Sequence, residues 1–145
     1  MIKIICLGKI KEDYLNKMID DYKTRISKYH KLEIIELKDT NDLVDEASMI
    51  KKHISNQDYV ISMDINGKQM DSVSFANHLD ETFNHHGTIT FIIGSSYGID
   101  NSIKEMSNLR LSFSNMTFPH GLFRAILLEQ IYRAFKILNN ETYHK

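Results

Sequence analysis

The sequence predicts an α/β fold in which helices cover both faces of a parallel sheet. Five short runs rich in Ile, Val, Leu and Phe have the composition of buried strands. The segments between them place apolar residues at three- to four-residue steps, which is the period of an amphipathic helix. Strands that alternate with helices favour parallel pairing, because each crossover carries the chain back across the sheet. With 145 residues, one proline and six glycines, we expect a single domain over residues 1–145.

The strands and helices follow one another along the chain without a repeat or a linker. The first helical segment has the clearest periodicity, from Tyr14 to Tyr29, and three weaker helical patterns follow it. The predicted strands are Ile2–Leu7, Leu32–Leu37, Tyr59–Met63, Ile89–Ile93 and Leu109–Phe113. The predicted helices between them are Tyr14–Tyr29, Asp42–Ile54, Ser72–Phe83 and Asn101–Asn108.

The last predicted helix, roughly Leu122–Leu138, is apolar over most of its circumference. Only Glu129, Arg133 and Lys136 form a narrow charged strip at 100° per residue. One sheet face is too narrow to cover so much apolar surface. The helix therefore either enters the middle of the domain or packs its second face against another subunit, and we predict a homodimer through this helix.

Composition excludes several classes of protein. Eighteen basic and nineteen acidic residues give a net charge of −1, which excludes a strongly cationic nucleic-acid binder. Apolar runs fall short of the roughly 20 residues that span a bilayer, so we expect no membrane segment. Cys6 is the only cysteine, and the adjacent His85 and His86 lack the i, i+4 spacing of a zinc site. We expect no disulfide, no metal and a cytoplasmic location.

A glycine-bounded turn follows the fourth predicted strand. Gly94 and Gly98 flank it, and Asp100 or Asn101 is placed to cap the next helix. Such a turn at the carboxyl end of a parallel strand is where open α/β sheets bind ligands. The alternative is that both glycines only supply unusual backbone angles. The same residues also spell G-x-S-x-G, which makes Ser96 a rival hydrolase nucleophile with His120 or His144 as base.

The segment from Leu109 to Gly121 contains a strand, a polar turn and the only proline, directly before the last helix. Pro119 fixes the direction in which the chain enters that helix. From residue 110 to the end, five basic and two acidic side chains give a local surplus of +3, which favours contact with an RNA backbone. Pairing of Glu129 with Arg133 at i, i+4 would reduce that surplus.

Stretches spread over the whole chain resemble the RlmH family. They are Ile4–Lys9, Asp64–Lys68, Phe91–Gly94, Leu111–His120, Leu128–Phe135 and Tyr143–Lys145. The resemblance implies a SPOUT-class α/β methyltransferase with a C-terminal trefoil knot that acts as a homodimer. It also implies that the cofactor is S-adenosyl-L-methionine and that the substrate is N3 of a pseudouridine in 23S ribosomal RNA.

The resemblance further implies which residues form the site. Nine would form the cofactor pocket: Met63, Gly94, Ser95, Ser114, Asn115, Met116, Thr117, Phe118 and Pro119. Four would face the acceptor base: His120, Arg133, Tyr143 and His144.

Methylation at N3 requires the imide to lose its proton in a fixed geometry. His120 is our hypothesis for the base, because an imidazole titrates near neutrality. Arg133 is our hypothesis for stabilising the oxygen that becomes negative. Because the chain is nearly neutral, we expect an assembled ribosome rather than free RNA as substrate.

The sequence departs from the family at positions close to the implied site. Members typically carry Gly-Gly where this chain has Gly94 and Ser95, a bulkier residue where Gly121 stands, and a glycine where Asn140 stands. The second hypothesis is therefore a knotted RNA-binding paralogue that either acts on an altered target or binds ribosomal RNA or a nucleotide without methyl transfer. Affinity for S-adenosyl-L-methionine distinguishes an enzyme from a protein that only binds.

Overall fold

A computed structural model describes all residues, 1–145, and contains one five-stranded sheet in which every pairing is parallel. The strand order is β2-β1-β4-β3-β5. This arrangement confirms the predicted α/β class. The strands are β1 (Ile2–Leu7), β2 (Leu32–Leu37), β3 (Tyr59–Gln69), β4 (Ile89–Ile93) and β5 (Leu109–Ser112). The helices are α1 (Asp13–Ser27), α2 (Leu43–Lys51), α3 (Ser72–Phe83), α4 (Asn101–Met106) and α5 (His120–Leu138).

The helices lie on both faces of the sheet, as predicted. Alternate residues of β1 point to opposite faces, so Ile4 packs with α1, α3 and α5, whereas Ile5 packs with α2 and α4. The larger core lies on the first face. None of the helices combines the length and apolar character that crossing a bilayer requires.

Strand β3 is longer than predicted. We expected it to end at Met63, but it continues to Gln69, and both Met63 and Lys68 pair with Leu111 of β5. The four residues between them bulge out of the ladder. Three of the four residues are not apolar, so apolar alternation does not predict the extension. The close pairing with β5 requires Gly67, because a Cβ there would lie 2.6 Å from the carbonyl oxygen of Arg110.

Some predicted helix ends are wrong by a few residues. Helices α2 and α4 end at Lys51 and Met106, earlier than expected, because apolar periodicity does not mark where the last turn frays. Helix α5 begins at His120, two residues earlier than predicted, with Pro119 as its N-cap. The earlier start places His120 in the first helical turn.

Helix α5 is enclosed largely by its own domain. It packs between α1 and α3, and eight of its residues are buried. This enclosure accounts for most of the apolar circumference without a second subunit. A partly exposed strip remains along the helix, and it includes three apolar side chains: Leu122, Ile126 and Ile137.

Candidate active site

A cleft opens at the carboxyl edge of the sheet, where β3, β4 and the segment after β5 meet. We call it the strand-end cleft, and its volume is about 510 Å³, within the range of small-molecule sites. Its walls combine apolar side chains with polar groups from several loops. They are formed by Met63, Asp64, Ile65, Asn66, Ile93, Gly94, Ser95, Ser96, Gly98, Ile99, Lys104, Thr117, Phe118, His120 and Phe123.

A smaller cavity of about 140 Å³ adjoins the strand-end cleft. The two share a wall that includes Met63, Thr117 and Phe118, and the smaller cavity extends to Ser114 and Met116. Seven of the nine residues expected around the cofactor therefore lie on one of these two connected surfaces. The seven are Met63, Gly94, Ser95, Ser114, Met116, Thr117 and Phe118.

The other two expected cofactor residues lie elsewhere. Asn115 accepts a hydrogen bond of 2.7 Å from the side chain of Gln69. Pro119 lines a separate groove of about 400 Å³ together with Lys9, Lys11 and His120, which we call the lysine groove. His120 is thus common to the lysine groove and the strand-end cleft.

The two glycines explain why the 94–98 turn can be tight. A Cβ on Gly94 would overlap the carbonyl oxygen of Gly98, and Gly98 has a φ of +92°. Asp100 caps α4, because its carboxylate accepts a hydrogen bond from the backbone N–H of Ser102 at 3.0 Å. Both glycines are therefore required by the turn itself, while the turn still forms a wall of the cleft.

The hydroxyl of Ser95 is engaged in a hydrogen bond within the protein. The hydroxyl donates a 2.8 Å hydrogen bond to the carboxylate of Glu46, a buried residue of α2. Sequence reasoning missed Glu46, because nothing in an amphipathic helix pattern distinguishes a buried glutamate from a solvated one. Ser96, by contrast, is exposed and has no hydrogen bond to a histidine or a carboxylate, so the geometry gives the hydrolase hypothesis no support.

His120 has a defined tautomer when it is neutral. Its Nε2 lies 2.7 Å from the carbonyl oxygen of Leu7 at the end of β1. Because that oxygen only accepts, Nε2 carries the proton and Nδ1 has the lone pair. The imidazole is half-buried, fixed at one nitrogen and able to accept a proton at the other.

The other three expected acceptor-side residues form a tail cluster with Glu129. Arg133 donates to Glu129 at 2.8 Å and to His144 Nδ1 at 3.2 Å, and its guanidinium lies 4.7 Å from the ring centroid of Tyr143. The hydrogen bond to Glu129 raises the pKa of Arg133, and burial raises the pKa of Tyr143. The cluster therefore contains a cation that is paired with the Glu129 carboxylate and lies beside a neutral phenol.

One chain does not bring all four acceptor-side residues together. His120 and Arg133 belong to the same helix and are 13 residues apart, which corresponds to about 20 Å along its axis. His120 lies at the strand-end cleft, whereas Arg133, Tyr143 and His144 lie near the opposite end of α5.

The local surplus of basic charge near the C-terminus is largely paired. Arg133 pairs with Glu129 as the i, i+4 alternative anticipated, Lys136 pairs with Glu141, and Arg124 pairs with Glu36. Lys9 and Lys11 in the lysine groove form no ion pair. No group of three or more potential metal-ligating side chains is present.

Comparison with known proteins shows which family the chain resembles over its length. The family model described as "Predicted SPOUT methyltransferase" matches residues 1–144. A relative from Caldicellulosiruptor saccharolyticus, named ribosomal RNA large subunit methyltransferase H, is 44% identical over 100% of both chains. A relative of the same name from Clostridium botulinum is 45% identical over 99% of both chains.

Solved structures show the same fold at low sequence identity. A methylase family protein from Haemophilus influenzae is 15% identical, with a TM-score of 0.59 over 99% of this chain and 70% of its own. Since the family model covers nearly the whole sequence, and relatives match it from end to end, the chain belongs to the SPOUT methyltransferase family.

Proposed function

We propose that this protein uses S-adenosyl-L-methionine to methylate N3 of a pseudouridine in 23S ribosomal RNA within an assembled ribosome. The observation that carries the proposal is the strand-end cleft, in which a fixed imidazole adjoins a pocket of mixed apolar and polar character. The full-length relatives are named for methylation of large-subunit ribosomal RNA, which supports this class of substrate.

The residues of the cleft fit the expected donor. Met63 and Phe118 provide apolar surface for its adenine and methionine parts, and the 94–98 turn provides backbone polar groups. Asp64 is largely buried, lies 3.6 Å from Lys104, and offers a carboxylate to hydroxyl or ammonium groups. The bound donor supplies an electrophilic methyl group.

His120 is assigned the removal of the N3 proton. The Leu7 carbonyl holds Nε2–H, so Nδ1 is the atom that receives the proton. Arg133 is assigned the stabilisation of negative charge that develops on the neighbouring carbonyl oxygen of the base. The Glu129 carboxylate keeps the guanidinium ordered for that purpose.

The separation of about 20 Å between His120 and Arg133 supports a homodimer with shared sites. The tail cluster of one protomer would meet the strand-end cleft of its partner, so that each site draws on both chains. The part of the partly exposed α5 strip that lies beyond the lysine groove is the proposed contact surface, because it is apolar at Ile126 and Ile137.

The lysine groove supports an approach of RNA to His120. Lys9 and Lys11 are exposed and unpaired, and Tyr14 beside them is 70% exposed. Cations bind phosphates, and an aromatic face accepts a stacked base. Since the whole chain has a net charge of −1, isolated RNA should bind weakly and with strong salt dependence, which favours the ribosome as substrate.

The decisive experiment combines calorimetry with methylation of ribosomes. We expect saturable binding of S-adenosyl-L-methionine, and transfer of one methyl group to a modified uridine in ribosomes from cells that lack this protein, detected by mass spectrometry. RNA association without affinity for the donor would instead identify a binding module. Absence of both would contradict the proposal.

A further inference from the structure

A buried carboxylate lies directly behind the strand-end cleft. Glu46 of α2 is only 2% exposed and forms no ion pair. Its two oxygens accept hydrogen bonds of 2.8 Å each, one from the hydroxyl of Ser95 and one from the backbone N–H of Thr40. The carboxylate thus joins the β2–α2 connection to the turn after β4.

Packing alone does not explain a carboxylate at this position, because its burial is unfavourable. Removing a charge from water without an opposite charge nearby is destabilising, and two hydrogen bonds only partly offset it. The neighbouring buried positions of α2, Ala47 and Ile50, are apolar. Glu46 therefore requires an explanation other than core formation.

The group that Glu46 holds is central to the 94–98 turn. The Ser95 hydroxyl also accepts a hydrogen bond from the backbone N–H of Tyr97 at 3.4 Å, and the Ser95 carbonyl accepts one from Gly98 at 2.9 Å. Gly94 is in close contact with Gly98 in the same turn. A displacement of Ser95 must therefore move the wall that the turn contributes to the cleft.

We propose that Glu46 is a positioning residue that fixes the 94–98 turn through Ser95 and thereby sets the affinity for S-adenosyl-L-methionine. The inference rests on the proposed function, since it takes the strand-end cleft as the donor site. A preformed wall binds more tightly than one that must be ordered by its ligand, because less conformational entropy is lost on binding. Glu46 itself has no contact with the cleft.

The test measures donor affinity in Ser95→Ala, in Glu46→Ala and in the double variant. We expect each single change to weaken calorimetric binding about tenfold, the scale of one hydrogen bond to a charged group. If the two residues act as a unit, the double variant binds no more weakly than the weaker single variant. Unchanged affinity in Ser95→Ala, or additive losses, would overturn the proposal.

Two further readouts separate positioning from general damage. In the variants, the affinity for the demethylated product should fall by the same factor as the affinity for the donor, because the turn contributes to the site of both. A loss confined to the cationic donor would mean that Glu46 acts through its charge. That result would overturn the proposal that Glu46 is a positioning residue. In Glu46→Ala, turnover at saturating donor should stay within about twofold while the KM for the donor rises. Ser48→Ala and Asp45→Asn, exposed positions on α2, are the matched controls and should leave both values unchanged.

Amide hydrogen exchange tests the anchor without any ligand. In Ser95→Ala, the backbone N–H of Gly98, whose acceptor is the main-chain carbonyl of Ser95, should exchange faster, whereas the N–H groups of β4 should not change. Ser95→Ala keeps nearly the original volume, so it decides the matter even if Glu46→Ala fails to fold. Faster exchange in a protein that binds no donor would refute the proposed function but not the anchor, whereas unchanged exchange would refute the anchor.

Discussion

The strand-end cleft and the tail cluster are built in opposite ways. The cleft is formed by loops that follow several strands, and residues far apart in sequence, such as Met63 and Phe118, form its walls within one chain. The tail cluster involves only the end of α5 and the last residues, where Glu129 orders Arg133 and Tyr143. One chain therefore contains a complete cleft, whereas the residues proposed to face the acceptor base lie in two separate places.

The largest effect is expected for His120→Ala, which tests whether methyl transfer takes place in the strand-end cleft. His120→Ala removes the proposed base, so single-turnover methylation should fall about 100-fold or more, while donor binding measured by calorimetry stays close to wild type. His53→Ala, a histidine that lines neither the cleft nor the tail cluster, is the control. Full activity in His120→Ala would remove the base from the mechanism.

The next prediction tests whether the tail cluster serves the partner's cleft. Arg133→Ala should lower methylation about 100-fold, because an anion that develops on the substrate loses its cation. Arg25→Ala, which also breaks an i, i+4 pair on a helix, should have no effect on methylation.

Mixing the two inactive variants tests whether each active site draws on both protomers. A heterodimer of His120→Ala and Arg133→Ala has one site with both residues intact if the sites are shared, so activity should return. If each chain works alone, no site in the mixture is intact and activity stays low. Rates of mixed and unmixed samples at equal total protein distinguish the two outcomes.

A smaller effect is expected at the turn that lines the cleft. Gly94→Ala adds a Cβ that overlaps the carbonyl oxygen of Gly98, so the turn must shift. We expect a loss of about 1–3 kcal/mol in unfolding free energy and weaker donor binding, measured by chemical denaturation and calorimetry. Gly87→Ala has open space around its new Cβ and should be neutral; equal behaviour of the two variants would contradict this account.

The smallest expected effect concerns Tyr143 in the tail cluster. Burial raises its pKa above the ordinary value of 10.0, so the phenol stays protonated in the folded protein when the unfolded chain has begun to ionise. This contribution to stability is complete below pH 10 and is lost as the pH rises further. In Tyr143→Phe, the free energy of unfolding should therefore decrease less steeply above pH 10 than in the wild type. A decrease as steep as that of the wild type would contradict this prediction.

The same phenol should matter little to catalysis. Its hydrogen bond to Glu129 is long, at 3.3 Å, whereas the contact between the Arg133 guanidinium and the ring survives in phenylalanine. Tyr143→Phe should lower methylation only about threefold, and Tyr143→Ala more, because it also removes the ring beneath the guanidinium. Equal losses in the two variants would show that the hydroxyl is what matters.

Much of the strand-end cleft follows from sequence patterns. The ends of β1 and β4 are as predicted, and parallel strands bring their carboxyl ends to one edge, so a site near Gly94 and the segment after β5 was expected. The same reasoning missed Glu46 and the extension of β3 beyond Met63. Glu46 is polar and the β3 extension is mostly polar, so apolar periodicity gave no information about either.

The α/β class, the strands and the helices follow from the amino-acid sequence, because local apolar periodicity and β-branched composition act within a few residues. The enclosure of α5 by α1 and α3, the hydrogen bond between Ser95 and Glu46, and the distance between His120 and Arg133 become visible only in the folded chain. These features depend on contacts between segments separated by tens of residues, and packing in three dimensions rather than local pattern brings such segments together.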